Sequence, residues 1–135
     1  MSRRPALLAV LLALLAVVAA CSSSSDTGAG GLPGEVDVAT AASMQADDAF
    51  VLDVREPDEW AAGHIEGATL IPLGELASRV AEVPTDREIV VVCRSGNRSA
   101  QGRDILLDAG RTGVTSMAGG MNDWIAAGKP YVTGP

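Results

Sequence analysis

The chain has 135 residues, room for one ordinary domain, and 47% of them are apolar, enough for a single core. Its 17 acidic residues outnumber 10 basic ones, giving a formal net charge of −7. That balance argues against a nucleic-acid partner, because holding phosphates requires clustered positive charge.

The N-terminus differs from the rest. Arg3 and Arg4 form a short basic region, and Ala6 to Ala20 is an unbroken apolar run. The run is too short to span a bilayer comfortably but fits the core of a secretory signal. Val18 to Cys21 (VAAC) resembles the lipobox of bacterial lipoproteins, in which the cysteine is lipidated and becomes the new N-terminus. Acyl chains would then anchor the protein, each buried methylene contributing about 0.8 kcal/mol. Ser22 to Gly31 has the Ser/Gly composition of a flexible tether. The expectation is a removed signal over residues 1–20, a lipidated Cys21 with a tether through residue 32, and a domain over 33–135 held at the cell envelope outside the cytoplasm. Cys21 and Cys93 are the two cysteines. Acylation of Cys21 would leave Cys93 as the one free thiol, which excludes any mechanism with a resolving cysteine in the same chain.

Within the domain, Glu35 to Ala39 alternates like a short strand, and Thr40 can cap a small helix over Ala41 to Ala46. Ala49 to Val54 is a nearly continuous apolar run, as in a strand covered on both faces. Glu56 to Gly63 reads as a short helix with Pro57 in its first turn and Gly63 at its end. Ala68 to Leu73 is a third strand stopped by Pro72. In Glu75 to Val83, Leu76, Val80 and Val83 recur at helical spacing before Pro84. Glu88 to Val92 is the strongest strand pattern. Ser99 to Gly110 reads as a helix with Ile105 and Leu106 inward and Gly110 as its stop. Gly113 to Met117 is a last strand, and Met121 to Gly128 a closing helix with Met121, Trp124 and Ile125 on one face. This alternation predicts an α/β domain with a mostly parallel central sheet of about five strands and helices on both faces. Ligand sites in such sheets form at the carboxyl ends of strands, and Cys93 falls at that end of the strongest one.

The segment Cys93 to Ser99 reads CRSGNRS. Gly96 lets the backbone turn sharply, so that successive amides can aim inward with a helix N-terminus behind them. Arg94 and Arg98 add permanent positive charge. These features favour a thiolate and any anion bound against it, so the Cys93 pKa should fall below about 8.5.

The loop resembles the active-site loop of rhodanese (thiosulfate sulfurtransferase) domains. Asp53 to Pro72, DVREPDEWAAGHIEGATLIP, resembles a second signature of that family, and Gly119 to Pro130, GGMNDWIAAGKP, its usual C-terminal end. The resemblance runs from about Gly34 to Val132 and implies a single-domain sulfurtransferase. It implies that Cys93 takes sulfane sulfur from thiosulfate or a similar anion as a persulfide and passes it to cyanide or a thiol, with no metal or other cofactor. Arg94, Ser95, Gly96, Asn97 and Arg98 would bind the donor and stabilise the persulfide, and Asp53, Arg55 and Ser99 would support the loop. His64, the lone histidine, lies in a Gly-His-Ile segment that looks structural in this family, and Trp60 stands where packing aromatics are usual. Two other readings compete. Phosphatase or arsenate reductase loops place five residues between cysteine and arginine, whereas four separate Cys93 from Arg98. A binding or redox-sensing module would display the thiol without turnover. The expected partners are a small donor, an acceptor and the membrane, with the domain a monomer.

Overall fold

The computed structural model of the protein describes residues 31–135; the leader, Cys21 and the tether through Gly30 lie outside the described residues. Five strands form one sheet: β1 (Glu35–Val36), β2 (Phe50–Asp53), β3 (Thr69–Leu70), β4 (Ile89–Val92) and β5 (Val114–Met117). Five helices connect or follow them: α1 (Val38–Ala46), α2 (Pro57–Ala62), α3 (Leu73–Arg79), α4 (Asn97–Asp108) and α5 (Gly120–Ala126). A 3₁₀ turn, Val80–Glu82, extends α3. The spatial order is β1-β5-β4-β2-β3, and every pairing is parallel. The chain is the five-stranded α/β domain that its sequence pattern predicts.

Both faces of the sheet are covered, which explains why β2 and β4 read as apolar runs rather than alternating patterns. Val90, Val92 and Met117 pack with Met44 of α1 and with Met121 and Trp124 of α5. Ile89, Val91, Cys93 and Val114 face the other way, toward Leu76 of α3 and Leu106 of α4. Gly102 lets α4 lie close to the sheet, since a Cβ there would meet Val91 Cγ1 at 3.1 Å and Val54 Cγ1 at 3.3 Å. That close seating brings the N-terminus of α4 over the end of β4.

Several boundaries differ from the sequence expectation. α1 begins at Val38, because Asp37 Oδ1 accepts the Thr40 amide at 2.8 Å, so Asp37 rather than Thr40 is the cap and β1 stops at Val36. The third strand shrinks to two residues, and Pro72 becomes the entry to α3. α4 starts at Asn97, two residues earlier than expected, with Gly96 in left-handed backbone before it. Met121 and Trp124 are buried, but Ile125 is 47% exposed: the three-residue spacing of the first two already fills the face that meets the sheet. Ile105 is half-buried beside the fully buried Leu106.

Candidate active site

Cys93 follows Val92 at the carboxyl end of β4, where the strand leaves the sheet. Gly96, at φ +105°, turns the chain back so that its N–H donates to Cys93 Sγ at 3.0 Å. A non-glycine residue would be strained at that angle. The Ser99 hydroxyl, on the first turn of α4, lies 3.4 Å from the sulfur, donates to Gly96 O at 2.9 Å and sits 2.8 Å from Ser116 Oγ. Burial pushes the Cys93 thiol up; the Ser99 hydroxyl and the amides of Ser99, Gly96 and Ser95 pull it down, and the net shift is downward. Hydrogen bonds to the charged form therefore outweigh desolvation.

Helix α5 clamps the same loop from the side. The Met121 amide donates to Cys93 O at 2.8 Å and the Asn122 amide to Arg94 O at 3.0 Å. These are first-turn amides with no partner inside their own helix, so the loop carbonyls satisfy them. The approach requires glycine at Gly120, where φ is +57° and a Cβ would lie 2.6 Å from Arg94 O.

The two loop arginines are in different situations. Arg94 is exposed and makes no ion pair among the described residues. Arg98 forms a two-pronged pair with Glu59 of α2, both contacts at 2.7 Å. The Arg98 bonds hold the Glu59 carboxyl down at about 2. Glu59 in turn raises the Arg98 pKa, and the charge of Cys93 adds to that effect, so the guanidinium senses the thiolate. Ser95 and Asn97 are exposed on the loop and at the start of α4.

Asp53 and Arg55 are buried together at the end of β2, joined at 2.7 Å. Arg55 also donates to Glu59 O at 3.2 Å and Gly63 O at 2.7 Å, which fixes α2 and so aims Glu59 at Arg98. Support thus reaches the loop through α2. His64 donates from Nδ1 to Trp60 O at 2.9 Å and stacks on Trp60 with ring centroids 3.6 Å apart. Its backbone pairs in both directions with Val132, pinning the C-terminal segment. Sequence reasoning did not single out Glu59, Ser116 or Gly120. Glu59, three residues after Glu56, completes a capping box that a sequence can suggest, but its partner Arg98 is 39 residues away.

Known proteins share this fold and much of its sequence. The sequence profile of the rhodanese-like domain matches residues 37–127. A sulfurtransferase of Allochromatium vinosum is 36% identical over 100 residues, spanning 73% of this chain and 94% of that protein. A thiosulfate sulfurtransferase GlpE of Pseudomonas entomophila is 36% identical over 84 residues, 62% of this chain and 77% of that one. Among solved structures, a rhodanese-related protein from Thermoplasma volcanium superposes with a TM-score of 0.69 at 32% identity, covering 74% of this chain and 98% of its own.

Proposed function

Because the chain belongs to the rhodanese-like family, we propose that it is a sulfurtransferase whose nucleophile is Cys93 and whose donor is thiosulfate or a similar sulfane anion. The Cys93 thiolate attacks the outer sulfur of thiosulfate. A bond forms between Sγ and that sulfur, the bond to the sulfonate sulfur breaks, and sulfite departs with its electron pair. The products, a persulfide anion and sulfite, carry the same total charge as the thiolate and thiosulfate. Cyanide or a thiolate then attacks the outer persulfide sulfur and restores the Cys93 thiolate.

The observation that carries this reading is the convergence of the Gly96 amide and the Ser99 hydroxyl on a sulfur whose pKa is lowered despite burial. The Gly96 amide, already aimed at the sulfur, needs no reorganisation when charge builds there, and the Ser99 hydroxyl is within reach of it. Arg94, exposed and unpaired among the described residues, is available to meet the sulfonate end of a donor, while the Arg98 fork is already engaged by Glu59. The names of the sulfurtransferase relatives support the reaction class, and GlpE, a thiosulfate enzyme by name, supports the donor. The Ala6 to Ala20 run, Cys21 and the Ser/Gly segment after it support tethering at the cell envelope through a lipid on Cys21. Metabolic labelling with a fatty acid, retained in the wild type and lost in Cys21→Ser, tests the tether.

Mass spectrometry after incubation with thiosulfate tests the chemistry. The expected result is a gain of one sulfur atom on Cys93, absent in Cys93→Ser. An unmodified thiol at saturating thiosulfate would favour a thiol-displaying module instead.

A further inference from the structure

Ser116 is buried at 0% exposure on β5, in register with Val91 of β4 and Glu35 of β1. A hydroxyl enclosed between sheet and helix costs free energy unless it is hydrogen-bonded. Its partner is Ser99 Oγ at 2.8 Å, and Ser99 is the residue whose hydroxyl reaches Cys93 Sγ.

The count of protons in this cluster gives Ser116 a task. As a thiol, Cys93 can donate to Ser99 Oγ, leaving the Ser99 proton for Gly96 O or Ser116. As a thiolate, the sulfur is acceptor-only, and Ser99 keeps its bond to it only by turning its single proton toward Sγ. The Ser99 oxygen then becomes an acceptor facing Ser116, which supplies the proton that fills it. The ionised site is a chain running Ser116 to Ser99 to Sγ, and the second hydroxyl polarises the first.

We propose that Ser116 is a positioning residue that stabilises the Cys93 thiolate, and the persulfide anion after it, by orienting the Ser99 hydroxyl toward the sulfur. The proposal rests on the reading of Cys93 as the nucleophile. Thr115 supplies an internal control: it is buried on the same strand, but its hydroxyl donates to Pro33 O at 2.7 Å and belongs to a different network.

The test is the pH dependence of Cys93 alkylation by iodoacetamide in the wild type, Ser116→Ala, Ser116→Thr, Ser99→Ala and Thr115→Val, with folding checked by circular dichroism. Ser116→Ala should raise the midpoint by about 0.5 pH units, equivalent to roughly threefold slower alkylation below both midpoints. Ser116→Thr should restore it, Ser99→Ala should raise it further than Ser116→Ala, and Thr115→Val should leave it in place. A midpoint in Ser116→Ala no higher than in Thr115→Val overturns the proposal, as does an unmoved midpoint in Ser99→Ala. The titration needs no sulfur donor, so it decides the role of Ser116 even if thiosulfate fails to modify the wild type, a result that would instead count against the proposed function.

Discussion

At Cys93 two large influences oppose each other. Burial alone would make a poor nucleophile of this thiol, and the hydrogen bonds from Ser99, Gly96 and Ser95 reverse the sign. Alkylation should therefore titrate below the ordinary thiol value of about 8.5; a midpoint at or above it would mean that burial wins. The same lowered pKa stabilises the fold at high pH: the contribution is full above the unfolded thiol pKa and is lost as pH falls through the folded one. Gly120 illustrates a different constraint, steric rather than electrostatic. Its φ of +57° and the proximity of the Cys93 and Arg94 backbone leave no room for a side chain. Gly120→Ala should cost more than about 2 kcal/mol, combining left-handed strain with backbone overlap. Urea denaturation gives the value, and near-wild-type stability would show that α5 does not clamp the loop this tightly. Cys93, Gly96 and Ser99 were legible because they lie within one heptapeptide whose chemistry is local. Ser116 and Glu59 were not, because each meets the loop through a contact between elements 17 or 39 residues apart in sequence, and nothing beside either residue marks the partner.

The elements divide the work of holding the loop: β4 delivers Cys93, α4 carries Ser99 and Arg98, α5 takes the loop carbonyls, and α2 braces Arg98 through Glu59. The α2–α4 tie has a pH signature. Glu59 has its carboxyl held at about 2, below its ordinary 4.5, first by the Arg98 hydrogen bonds. A depressed folded pKa contributes stability that is fully present above the unfolded value and is lost as pH falls through the folded one. Glu59→Gln, which keeps the side-chain shape, should therefore cost on the order of 1 kcal/mol at pH 7, allowing for the partial exposure of the pair. The difference from wild type should shrink below pH 4.5 and disappear near 2. Thermal melting across that range measures it, and a difference independent of pH would mean that the carboxylate charge is not what joins the helices. Strand positions were legible because both faces of the sheet are covered, which leaves unmistakable apolar runs at β2 and β4. Helix starts were less so: Asp37 and Thr40 are both good caps, and only the backbone geometry shows that Asp37 takes the role.

On the scale of the molecule, alternating strands and helices announced a parallel sheet, but not that β4 would lie between β2 and β5. That order depends on where each crossover lands, and crossover handedness narrows the choices without selecting one. The result puts Cys93 on a central strand, with support available from both sides and from the helices above. It also sets the loop within a protein of net charge −7. With thiosulfate as the proposed donor, the dianion would meet repulsion at a distance and, near the loop, Arg94 and the Gly96 amide. These fields have different ranges. Salt at 0.1 M screens beyond about 10 Å, which removes the long-range repulsion while leaving close contacts less affected. The value of kcat/KM for thiosulfate should therefore rise severalfold between about 0.01 and 0.15 M salt. The discharge step with a thiolate acceptor should change less, because a single negative charge is turned away less strongly than a dianion. A fall in kcat/KM for thiosulfate with added salt would show that Arg94 and its loop outweigh the acidic body at the range where encounter is decided, and would place donor capture in the local field of the site.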